Sequence, residues 1–60
     1  MIVTLPYDRC WTALEWAKEN CPSYITNDSH LTADGYYEKN KIDYFFSNEA
    51  EATMFRLKWL

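Results

Sequence analysis

Apolar and polar positions along the chain switch between strand-like and helix-like periods three times. Met1 to Leu5 (MIVTL) is short, β-branched and closed by Pro6, which reads as a first strand. Met1, Val3 and Leu5 share one face, and Ile2 and Thr4 the other. Apolar residues on both faces predict a central strand rather than an edge strand.

Asp8 then has the character of a helix N-cap, followed by RCWTALEWAKENC and stopped by Pro22. At about 100° per residue, Cys10, Ala13, Leu14, Ala17 and Cys21 form one stripe, with Trp11 and Trp16 on its flanks. Ser23 to Thr26 is a candidate second strand. Asp34-Gly35 is a hairpin signal of the type I′ kind. Residues 28–40 read as either a mobile loop or a short irregular hairpin. Lys41 to Phe46 (KIDYFF) is the clearest strand, with Ile42, Tyr44 and Phe46 on one face.

The last element begins after Ser47. Asn48 as N-cap and Glu51 three residues on make a capping-box-like start. Glu49 and Glu51 near the helix start, and Arg56 and Lys58 near its end, complement the macrodipole. Ala52, Phe55 and Trp59 form a core stripe. Ala50, Met54 and Leu57 gather on nearly the opposite side, with charged rows between. A surface helix ordinarily carries one apolar stripe; this one carries two. The second stripe either leans on the first helix, through Trp11 or Trp16, or faces another chain.

The order β-α-β-(β)-β-α predicts an α+β fold: a two-layer sandwich of two helices on a three- to four-stranded sheet. If the first two strands are parallel neighbours, their crossover is right-handed. The expected core is Val3, Leu5, Cys10, Leu14, Ala17, Cys21, Ile42, Tyr44, Phe46, Ala52, Phe55 and Trp59.

Length limits this to one domain, residues 1–60, with a marginal core. Three Trp, five Tyr and three Phe compensate, since each buried aromatic removes about 150–250 Å² from water. Oligomerisation is the other remedy. The net charge of −3, without clustered Lys or Arg, argues against nucleic-acid binding. No apolar run approaches a membrane span and no signal peptide is evident, so a soluble protein is expected. Asn27-Asp28-Ser29 is read as an accidental glycosylation match.

Candidate chemistry is sparse. His30, the single histidine, lies among Asp28, Ser29 and Asp34, and is read as a solvated loop residue. Cys10 and Cys21 lie too far apart in one helix for a disulfide and read as small core hydrophobes. No metal-ligand spacing and no phosphate loop occurs, so neither a cofactor, a metal, a small-molecule substrate nor an enzyme activity is expected. Tyr36, Tyr37, Lys39, Lys41, Tyr44 and Phe45 could form a base-stacking platform, but strand aromatics with solubilising charges explain them better.

The stretch KIDYFFSNEAEATMFRLKWL resembles the ending of small uncharacterised proteins from tailed bacteriophages. Those close with an aromatic strand, an acidic turn and a helix Glu-x-x-Ala-x-x-Phe-x-Leu-x-Trp. The matching positions are Glu49, Ala52, Phe55, Leu57 and Trp59, preceded by Tyr44 and Phe46, about a third of the chain. The resemblance implies a phage origin and no established activity. The expectation is a small accessory protein in the infected host cytoplasm, binding a host or phage protein through Ala50, Met54, Leu57, Trp11 and Trp16. The alternatives are a minor virion subunit, in which that patch is buried in a homo-oligomer, and, more weakly, a nucleic-acid-associated protein.

Overall fold

The computed structural model describes residues 1–59. Three antiparallel strands and two helices follow in the order β1 (Ile2–Pro6), α1 (Thr12–Asn20), β2 (Tyr24–Leu31), β3 (Tyr37–Phe46) and α2 (Glu49–Trp59). The sheet order is β1-β3-β2. The α+β two-layer architecture expected from the sequence is present, with three strands.

The strand order corrects two expectations. β1 pairs only with β3 and is an edge strand, not a central one. Its second apolar face, at Ile2, is exposed because both helices cover the other side of the sheet. β1 and β2 run parallel, but β3 lies between them, so they are not neighbours.

Alternation sets the core. Val3 and Leu5 of β1 stand opposite Tyr44 and Ile42 of β3, and all four are buried with Phe46. Ala13, Ala17 and Cys21 come down from the first helix and its exit, and Ala52 and Phe55 from the second. Phe55 is the hub: its ring centroid is 5.0 Å from both Tyr44 and Phe46. Leu14 and Trp59 are half-buried at the margin.

Cys10 is exposed, against the core assignment. The helix starts at Thr12 rather than after Asp8, so Cys10 does not share the helical phase of Ala13, Ala17 and Cys21. The cap position belongs to Trp11, whose backbone is left-handed at φ 53° and ψ 36°. Asp8 acts across the preceding turn instead: its carboxylate accepts from the Cys10 and Thr12 N–H groups, both at 2.9 Å.

Residues 28–40 take the irregular-hairpin alternative: they belong to the β2–β3 hairpin, whose ladder runs from Tyr24–Phe46 to Leu31–Tyr37 with two register shifts. Its turn is not type I′, which needs two positive φ angles. Gly35 has φ 88°, and among the described residues the only non-glycine residue with positive φ is Trp11. The Gly35 N–H donates to Thr32 C=O at 3.0 Å and the Thr32 N–H to Tyr36 C=O at 2.7 Å. That pattern fits a tight turn followed by a left-handed glycine bulge.

Asn48 caps α2 as expected, its Oδ1 accepting from the Glu51 N–H at 3.0 Å. Glu51 does not close the capping box. Its Oε1 accepts from the Ser23 N–H at 2.9 Å, tying α2 to the loop that enters β2.

Candidate functional site

Two surfaces lie outside the core, one on each side of the molecule. The first is the outer face of α2. Ala52 and Phe55 anchor one side of this helix in the core. Met54 and Leu57 therefore emerge on the other, 44% and 71% exposed, with Ala50 also exposed. The first helix does not cover them. Trp16 turns toward the inner flank, its ring centroid 6.2 Å from Phe55 and 6.4 Å from Trp59. Lys58 Nζ reaches over both indoles, at 5.4 Å from Trp16 and 5.3 Å from Trp59. Trp11 lies elsewhere, edge-on to Tyr7 at 5.5 Å. The two tryptophans therefore do not join Ala50, Met54 and Leu57 in one continuous patch: Trp16 seals the helix–helix seam and Trp11 the end of β1.

The second surface is the uncovered sheet face. Here Asp43 of β3 is only 7% exposed, although no helix lies above it. Its Oδ1 accepts the Thr4 hydroxyl at 2.6 Å and lies 2.9 Å from His30 Nδ1. Each partner comes from a different strand, so the cluster crosses the whole sheet. His30 is thus a half-buried strand residue with a carboxylate partner, not a solvated loop histidine. The sequence hid this because the pair is 13 residues apart and the β2 segment has no clean alternation. His30 donates to this oxygen in the tautomer that carries its proton on Nδ1.

The cluster does not have the order of a nucleophilic triad. In a triad the imidazole sits between acid and hydroxyl. Here the carboxylate sits between hydroxyl and imidazole, and the Thr4 proton is directed to Asp43. Asp28 is not drawn in; its Oδ1 accepts from the Ser29 N–H at 2.7 Å.

The remaining candidates disperse. Tyr36 and Tyr37 are exposed at the hairpin end, whereas Tyr44 is fully buried and its ring is closed to any base. Burial, and secondarily the Asp8 and Tyr24 charges, push the Tyr44 phenol up. Burial, then the Glu51 charge, pushes the Cys21 thiol up. No group of three or more His, Cys, Asp or Glu able to hold a metal occurs among the described residues. No helix among them is long and apolar enough to cross a membrane.

Comparison with known protein families, curated proteins and solved structures finds no match to this chain.

Proposed function

We propose that the protein works by binding another protein through the outer face of α2, without catalysis of its own. The observation that carries this reading is the exposure of Met54 and Leu57 on a helix whose other side is already buried. Apolar side chains presented together on a folded surface mark interfaces. Methionine suits a surface that must adapt to its partner's shape. The charged row beside the stripe, Glu51 with Lys58, supplies a polar rim of the kind interfaces carry.

A phage setting, with a host or phage factor as partner in the infected cytoplasm, rests on the resemblance of the C-terminal third alone. Affinity purification of the tagged protein from infected cells tests both parts. The expected result is a stoichiometric partner captured by wild type and lost with Met54→Asp or Leu57→Asp. Both variants should keep the wild-type thermal melt, since exposed positions shift stability by only about 0.5 kcal/mol. A variant that unfolds, or one that captures the same partner, overturns the assignment of the stripe. Stoichiometric peptides in purified particles would move the protein to the virion instead.

A further inference from the structure

β1 is the unguarded edge of the sheet. Met1 and Phe46 exchange both backbone hydrogen bonds, at 3.0 and 2.8 Å. Antiparallel pairs alternate, so Val3 and Leu5 also bond to β3, while the N–H and C=O groups of Ile2 and Thr4 point away from the sheet. The Tyr7 N–H, donating to Asn40 C=O at 2.8 Å, keeps the same alternation. The opposite edge, β2, carries an extra residue, Ile25, between Tyr24 and Thr26, and such a bulge blunts an edge against further pairing. β1 pairs in unbroken register and carries no charged side chain.

The strip beside this edge is complementary to itself. A groove of about 170 Å³ separates β1 from α2, with Ile2 and Val3 on one side and Glu49, Ala52, Thr53 and Arg56 on the other. Glu49 and Arg56 stand at its two ends, with Ala52 and Thr53 midway. With a two-fold axis beside Val3 and Ala52 and Thr53 nearest that axis, Glu49 of each copy faces Arg56 of the other. The same axis pairs Ile2 with Thr4 of the second copy, twice, which makes four backbone hydrogen bonds. Pro6, which lacks an N–H, falls outside that register. Spacing also fits. α2 lies over β1 and β3, so its axis is about 5 Å from the two-fold when strands are about 4.8 Å apart. The two α2 helices would then be about 10 Å apart, the separation of packed helices.

We propose that two copies of this chain pair antiparallel through β1, joining their sheets into one of six strands with the two α2 helices side by side. Such an isologous contact is the commonest form of self-association. It uses a different flank of α2 from the Met54 and Leu57 stripe, so it stands or falls separately from the binding role above.

Sedimentation equilibrium tests it. Wild type should show twice the 7.2 kDa chain mass. Arg56→Glu places like charges opposite each other twice and should weaken the dimer by about tenfold or more. The charge-swapped double variant Glu49→Arg/Arg56→Glu should regain it. Ile2→Pro removes an outward N–H that the monomer does not use, and should also lower the mass while circular dichroism stays that of wild type. A wild-type mass of one chain at the highest soluble concentration overturns the proposal. So does a dimer that survives both Arg56→Glu and Ile2→Pro, which would place the contact on another face. A double variant that stays monomeric overturns the Glu49–Arg56 pairing.

Discussion

His30 Nδ1 lies 2.9 Å from Asp43 Oδ1, the same oxygen that accepts the Thr4 hydroxyl at 2.6 Å. One atom on the central strand thus ties both edge strands from the face that no helix covers. Hydrogen bonds to a charged acceptor contribute about 1.5–3 kcal/mol. Thr4→Val and His30→Ala should each lower stability in urea by about 1–3 kcal/mol, at the lower end where solvent replaces the lost partner. Because the two donors share one acceptor, the double variant should depart from additivity by about 0.5 kcal/mol or more. A strictly additive double variant would show that the contacts are independent.

Tyr44 makes the opposite case. Its hydroxyl is buried and has no hydrogen-bond partner among the described residues. An unsatisfied buried hydroxyl costs about 1–3 kcal/mol, so Tyr44→Phe should stabilise the fold, by about 1 kcal/mol, and raise the melting temperature. The same variant should alter the alkaline limb. An unfolded tyrosine ionises near 10.0, and burial holds the folded Tyr44 protonated beyond that. Above pH 10 the unfolded chain then binds fewer protons than the native one, so stability falls as pH rises through that window. Tyr44→Phe should flatten this fall, and Tyr24, also raised by burial, should account for part of what remains.

These two residues show what the sequence could and could not disclose. The period-two run Ile42, Tyr44 and Phe46 and the phase of Ala52 and Phe55 identify the core directly, because burial there follows local periodicity. Ala13 was visible on the same grounds. The extension of β2 to Leu31 and of β3 down to Tyr37 was not. Those segments hold together by their backbone ladder and the Gly35 turn, and few of their side chains are buried. The Asp43 cluster was equally hidden, since it depends on which strands become neighbours. The edge position of β1 follows from the same strand order. Cys10 failed for a local reason: a left-handed Trp11 breaks the helical phase one residue after it.

The two cysteines should therefore separate under a thiol reagent. Cys10 is exposed and Cys21 is buried, with its thiol pushed up by burial and by the Glu51 charge. The thiolate is the reactive species, so Cys21 is protected twice, by access and by protonation. One equivalent should react at once in the native protein and the second only on unfolding. Cys10→Ser should abolish the fast phase, and two fast equivalents would show that the α1 exit is not packed.

Asp8 sets the acid limb of stability. Its carboxylate is held below the ordinary 3.8, first by the Cys10 N–H, then by the Thr12 N–H. The group is depressed in the folded state, so the unfolded chain takes up its proton first as pH falls. Its contribution is complete above pH 3.8 and is lost as pH drops through the folded value. The stake is the turn it closes. The Trp11 N–H donates to Asp8 C=O at 3.0 Å, and the Asp8 side chain satisfies two more N–H groups while Trp11 sits in its left-handed conformation. Asp8→Asn keeps one acceptor oxygen and removes the charge. It should lower the melting temperature at neutral pH and lessen the loss of stability between pH 4 and the acid transition. Trp11→Gly relieves the left-handed backbone but gives up the edge contact with Tyr7, so its change in stability is the balance of strain against packing. If Asp8→Asn leaves the acid limb of the melting curve unchanged, the turn is held by its backbone bond alone.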